Sequence, residues 1–225
     1  PYIIPEGGSN ALGCMGYVRA CKEIADFERQ KGVTFDSIVC AVGSGGTYAG
    51  LRAGTALVGL GARVLGVNVC DDAETFTRRT DGLLEELGDR LGLELPLNPE
   101  DTIIDGFVGP GYAVPTEACR DAIYRAASDH ALILDPVYTG KAFAGLLAEP
   151  QGGRLGDRSL FIHTGGAFGL FPQAQAILTY TFDASSFSAV LFALSSAPSR
   201  IRILREIRSG RFRIHLSRWL DLRRP

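Results

Sequence analysis

The sequence predicts an α/β fold, a mostly parallel open sheet with helices on both faces. Short apolar runs of strand length alternate with longer stretches of helical period, and the first run ends in a glycine-rich turn from which a helix sets out. Helical stretches fall at residues 12–30, 48–60, 73–91, 116–127 and 140–147, and strand-like runs at 37–42, 63–69, 102–107, 131–134 and 159–163. Asn10, just ahead of Leu12, suits a helix N-cap as well as it suits a place at the mouth of a cleft with Ser9. The helix at 116–127 begins at Pro115 or Thr116 and gathers Ala118, Ala122, Ile123 and Ala126 on one side, a pattern that suits packing on a sheet. In sheets of this kind ligands bind beyond the carboxyl ends of the strands, so the turns that follow the apolar runs carry the functional information.

Composition narrows the class. The 225 residues, 46% of them hydrophobic, are enough for one large domain or two small ones with a real core. A net charge of −2 gives no electrostatic case for nucleic acid or an anionic membrane as partner. No run reaches the roughly 18 to 20 apolar residues of a membrane span, and Pro1-Tyr2-Ile3-Ile4 has no secretory pattern, so a cytoplasmic enzyme is expected. Five scattered cysteines (Cys14, Cys21, Cys40, Cys70, Cys119) read as small core residues more than as ligands, and three distant histidines (His130, His163, His215) form no zinc signature.

The most informative turn is Gly43-Ser44-Gly45-Gly46-Thr47, which follows Ser37-Ile-Val-Cys-Ala-Val. Glycines allow positive φ and close approach, so successive backbone N–H groups and a helix N-terminus can converge on an anion, with the hydroxyls of Ser44 and Thr47 as further donors. The same composition also serves as a plain connector. A nucleoside-triphosphate loop is poorly matched, because from Gly45 the second glycine falls at Gly50 and is followed by Leu51 and Arg52 in place of Lys and Ser or Thr. A dinucleotide fingerprint counted from Gly43 would need glycine where Tyr48 stands, although Asp71 after the next apolar run keeps that reading open. A small single phosphate is the best fit.

Two further strand ends carry polar groups: Asp135-Pro136-Val137-Tyr138-Thr139-Gly140-Lys141 and His163-Thr164-Gly165-Gly166. Together with Ile4-Pro5-Glu6-Gly7-Gly8-Ser9-Asn10-Ala11-Leu12-Gly13 and the glycine turn, these segments resemble the family of 1-aminocyclopropane-1-carboxylate deaminase and D-cysteine desulfhydrase, pyridoxal-phosphate enzymes of the tryptophan-synthase-β fold type. The likeness runs in order from Pro1 to about Phe171. It implies that Gly43, Ser44, Gly45, Gly46 and Thr47 hold the 5'-phosphate of pyridoxal phosphate, that Thr164 with Gly165 faces the pyridine nitrogen, and that Tyr138 stands beside a small amino-acid substrate as a general acid or as an activator of its leaving group or carboxylate. A neutral hydroxyl at the nitrogen makes the cofactor a weaker electron sink, suited to β-elimination. A tyrosine hydroxyl, with an ordinary pKa near ~10, needs help for such a role, and packing on the following helix is its other reading.

Thr139 is where the resemblance discriminates. The deaminase branch is understood to carry an acid after this tyrosine and the desulfhydrase branch a threonine, so the resemblance implies D-cysteine desulfhydrase, converting D-cysteine to pyruvate, sulfide and ammonia. The deaminase, or a non-catalytic remnant that binds a small phosphate ligand, is the alternative, and the family implies a homodimer. None of the three lysines, Lys22, Lys31 and Lys141, stands in the context of the family's Schiff-base lysine. The chain is therefore expected to be a fragment, with residues 1–171 the later part of the cofactor domain and with an apolar sheet edge laid bare. Residues 172–225 do not resemble the family. Their arginines alternate with apolar residues, a pattern open to an amphipathic surface element but more economically an out-of-frame or foreign tail.

Overall fold

The computed structural model describes residues 3–150, 153–178, 200–205 and 215–216. Helix α1 (Ala11–Lys31) leads into β1 (Ser37–Val42), α2 (Gly46–Val58), β2 (Arg63–Asn68), α3 (Ala73–Leu91), β3 (Thr102–Ile104), α4 (Glu117–His130), α5 (Thr139–Ala148), β4 (Arg158–His163) and the short α6 (Ala174–Leu178), with 3-10 turns at Glu6–Gly8 and Ala167–Leu170. Strands β5 (Arg200–Arg205) and β6 (His215–Leu216) complete a sheet of order β3-β2-β1-β4-β5-β6. All its pairings are parallel except β5 with β6. The expected α/β fold is thus the observed one.

Strand β1 is buried along its whole length and explains the two-sided core. Its odd residues Val39 and Ala41, with Leu65 and Val67 of β2, pack beneath α4 and α5 around Ala122, Ala126, Ala142 and Phe143. Its even residues Ile38, Cys40 and Val42, with Val64, face α1, α2 and Phe76 of α3. This is the period-two alternation of a strand covered on both sides. Helix α1 lies close on α2: a Cβ on Gly54 would come within 2.6 Å of Cys21 Sγ, so a glycine there lets the two helices meet. Caps fix the helix starts, with Asn10 accepting from Gly13 N, Asp72 from Thr75 N and Thr116 from Cys119 N.

Three expectations need correction. Residues 131–134 form no strand, although Leu132 and Leu134 are buried and Ile133 exposed as an alternating strand would have them. Both neighbours of β4 are already taken, by β1 and β5, and this segment's backbone bonds elsewhere, Leu132 N to Ala126 O and Ile133 O to His163 Nε2. Helix α4 packs on α5 and buries Cys119, Ala122, Ile123 and Ala126, while Ala118 is exposed. The β4 edge is not bare either, since β5 pairs with it from Arg158↔Arg200 to His163↔Arg205; an unpaired edge is a ready template for such pairing. Most of the expected basic tail, 172–225, lies outside the described residues. Among the described residues no helix is long and apolar enough to cross a membrane, and no group of side chains could hold a metal ion.

Candidate active site

The turns after β1, β2 and β4 and the segment after β3 surround one cavity of about 800 Å³. Gly43, Ser44, Gly45 and Thr47 line one side, Tyr138, Thr164, Gly165 and Gly166 the other, and residues 108–112 run across it. Gly46, the remaining member of the glycine turn, opens α2. The sequence-predicted groups therefore converge on one space, which places the glycine turn and Tyr138 within reach of a single ligand.

The glycine turn is shaped by backbone. Gly45 has φ +91°, a conformation that a Cβ would strain, and α2 begins directly behind it. Among the described residues the amide N–H groups of Ser44, Gly45 and Thr47 donate to no protein acceptor, so unspent donors meet a helix N-terminus at the cavity wall. Gly46 N is the exception: it donates to Ser9 Oγ at 3.2 Å, and that hydroxyl donates in turn to Ser44 Oγ at 2.6 Å. Ser9 thus buttresses the turn instead of lining an entrance, and Asn10 is a helix cap. Arg79 lines the same cavity; it lies over the Phe76 ring and makes no ion pair among the described residues. A cation, free amides and a helix start fit a phosphate, and the volume beyond them fits an aromatic ring.

Side chains build the opposite wall. Tyr138 is set edge-on to Tyr112, ring centroids 6.0 Å apart, and their hydroxyls meet at 2.5 Å. Partial burial and this hydroxyl contact push the Tyr138 phenol well above its ordinary range, so it stays protonated at neutral pH and can offer its O–H as a hydrogen-bond donor. The ring also abuts the glycine turn, where a Cβ on Gly43 would lie 2.8 Å from Tyr138 Cε1. The backbone of Tyr138 is held by the buried Asp135, whose carboxylate accepts from Val137 N, Tyr138 N, Thr139 N and Thr139 Oγ1 at 2.6–2.9 Å. Asp135 also presses on the neighbouring turn, since a Cβ on Gly166 would fall 2.7 Å from its Oδ1.

Thr139 is fully buried and does not reach the cavity. Its hydroxyl is committed to Asp135, accepting from Asp135 N and donating to Oδ1. Thr164 does line the cavity, on a turn shaped by His163, whose Nδ1 accepts from Gly165 N and whose Nε2 therefore carries the proton toward Ile133 O. Sequence reasoning missed Tyr112, Arg79 and the part played by Asp135, because their importance rests on contacts between distant segments. Cys70, read as core, in fact lines the cavity with its thiol toward Gly43 O. The other four cysteines are buried and free as expected, with burial pushing the Cys14 thiol up to about 11 and those of Cys21 and Cys119 up to about 12.

A parallel sheet with an anion-binding turn behind its first strand and a tyrosine facing it defines a cofactor-dependent enzyme class. Residues 1–165 match the family described as pyridoxal-phosphate dependent enzyme, and the chain belongs to that family. It is 43% identical over 181 residues to a protein of Pyrococcus furiosus provisionally named a 1-aminocyclopropane-1-carboxylate deaminase, covering 80% of this chain and 54% of the relative. It is 43% identical over 182 residues to the mitochondrial bifunctional D-cysteine desulfhydrase/1-aminocyclopropane-1-carboxylate deaminase of Arabidopsis thaliana, covering 78% and 44%, and 42% identical over 173 residues to a D-cysteine desulfhydrase of Yersinia pestis, covering 76% and 52%. The crystal structure of an ACC deaminase homologue superposes with a TM-score of 0.73 at 40% identity over 80% of this chain and 53% of that one. The chain thus spans about half the length of the relatives it matches.

Proposed function

We propose that the protein to which this chain belongs is a D-cysteine desulfhydrase, with pyridoxal phosphate held at the glycine turn. The observation that carries the proposal is the shared cavity: free amides and Arg79 at one end, a protonated tyrosine at the other. The turn at Gly43, Ser44, Gly45, Gly46 and Thr47, with the α2 N-terminus, receives the 5'-phosphate. Thr164 and Gly165 receive the pyridine edge, and the hydroxyl can offer only a neutral hydrogen bond there. The cofactor, when bound, supplies an electron sink for the substrate α-carbon. Tyr138, protonated and steadied by Tyr112, donates a hydrogen bond to the substrate sulfur and so activates it as a leaving group.

Thr139 favours the sulfur substrate over the cyclopropane. With its hydroxyl committed to Asp135, this position carries no carboxylate, the feature that the resemblance assigns to the deaminase branch. The test is to incubate a version extended to the full length of its relatives with D-cysteine and with 1-aminocyclopropane-1-carboxylate, the chain by itself being expected to turn over neither. Sulfide and pyruvate from D-cysteine are the expected products. Cyclopropane turnover to 2-oxobutanoate without sulfide release from D-cysteine would overturn the proposal.

A further inference from the structure

Lys141, in the first turn of α5, is fully buried, and among the described residues no carboxylate pairs with it. An ammonium group is expensive to enclose unless its N–H donors are satisfied, and burial pulls its pKa below the ordinary lysine range. Its Nζ donates to two main-chain carbonyls, Val108 O at 2.5 Å and Gly111 O at 2.9 Å. Both belong to the segment that crosses the cavity, and the next residue is Tyr112, whose hydroxyl meets that of Tyr138.

That segment has little else to define its shape. Residues 105–115 form no helix or strand, and the main-chain bond described within them is Val114 N to Gly111 O. Gly109 adopts φ +70° and Ala113 φ +58°, so the path bends where the left-handed region is needed. Outside ties at its two ends are Asn68 Nδ2 to Asp105 Oδ1, Arg120 Nη1 to Pro115 O and Gln173 Nε2 to Ala113 O, and at its centre the two main-chain carbonyls are tied by Lys141. Lys141 follows Tyr138 by three residues, so one short stretch of chain carries the tyrosine of the site and the cation that seats its partner.

We propose that Lys141 is a positioning residue: its ammonium clamps the carbonyls of Val108 and Gly111 and thereby sets the Tyr112 hydroxyl against Tyr138. This rests on the reading of Tyr138 as the hydrogen-bond donor of the site, but the tests report structure and stand apart from any turnover. In the unaltered protein, reductive methylation should modify the exposed Lys22 and Lys31 and leave Lys141 untouched. In Lys141→Met, hydrogen exchange at the Val114 amide, which donates to the same Gly111 carbonyl that Lys141 holds, should quicken by at least about tenfold while exchange in β1 stays unchanged. With tyrosine labelled at Cζ, the Tyr138 resonance should move in Lys141→Met as it does in Tyr112→Phe, and the double variant should move it no further.

A Lys141 that methylates as fast as Lys22, or a Lys141→Met protein whose segment exchange and Tyr138 resonance match the unaltered chain, overturns the proposal. Should Lys141→Met fail to fold, the methylation pattern of the unaltered protein still decides it. Absence of desulfhydrase activity in the unaltered protein extended to the length of its relatives, with all these structural results intact, would instead count against the assignment of function.

Discussion

The glycine-turn side of the cavity is built from main chain, with positive φ at Gly45 and unspent amides at Ser44, Gly45 and Thr47, whereas the tyrosine side is built from side chains held by two buried ionisable groups, Asp135 and Lys141. The difference follows from what each side must do. An anion is well served by several dipoles fixed by a helix start, which need no side chain to move or titrate. A group that handles protons must have its orientation and protonation set, and this requires a scaffold of directional bonds around it. Such a scaffold is costlier to damage than the amide turn, and that asymmetry is measurable.

The largest effect is expected at Asp135. Replacement by alanine removes an acceptor for four donors within a buried turn, and Asp135→Ala should lower unfolding stability by roughly 3–5 kcal/mol in urea titrations. It should also release Tyr138 from the glycine turn. A loss under about 1 kcal/mol would mean that the tyrosine side is not organised around this carboxylate.

Gly45→Ala tests the other side. The residue would be strained at φ +91°, and its Cβ would lie 3.0 Å from Thr80 Cγ2. A left-handed alanine costs about 1–2 kcal/mol, which the turn can relieve by rotating its amides out of line. Pyridoxal phosphate affinity, measured by equilibrium dialysis, should then fall about tenfold with little change in Tyr138, because the tyrosine ring abuts Gly43 whereas Gly45 faces Thr80 and Leu83. Arg79→Met should do less, weakening pyridoxal phosphate about two- to fivefold and leaving pyridoxal unaffected, because an exposed cation is worth ~0.2–1 kcal/mol to a phosphate. High salt should erase the difference. Equal losses for both ligands would place Arg79 away from the phosphate.

The two sides were not equally legible in the sequence. The glycine turn announces itself because its function depends on local backbone freedom, and β1, β2, β4 and α3 were likewise found within a residue or two from apolar runs and period. Tyr138 and Thr164 were reached through family resemblance, since a tyrosine before a helix is as easily a packing residue. Asp135, Tyr112 and Lys141 could not be read, because each acts across 26 to 33 residues or through a turn whose geometry has no compositional mark. Residues 131–134 show the converse failure. Their alternation is that of a strand, yet both sides of nearby β4 are already paired, by β1 and β5, and strand formation is a property of pairing as well as of sequence.

The smallest effect concerns what stands behind the amide turn. Helix α3 brings Thr80, Leu83 and Arg79 up to Gly45, and its N-cap is Asp72, whose carboxylate accepts from Thr75 N and Thr75 Oγ1. Those bonds hold the Asp72 carboxyl below its ordinary value of 3.8. A folded-state pKa below the unfolded one means that the unfolded chain takes up the proton first as pH falls. The cap's contribution is therefore complete above the unfolded value of 3.8 and is lost as pH drops through the lower, folded one. Asp72→Ser keeps an acceptor for Thr75 N but does not titrate. Thermal unfolding should accordingly show any advantage of the unaltered protein over Asp72→Ser at about pH 5 shrinking by about pH 3. A gap that stays constant between those two conditions would show that the carboxylate is not what secures α3 behind the turn, and the support for Gly45 would have to be sought in the packing of Phe76 and Leu83 alone.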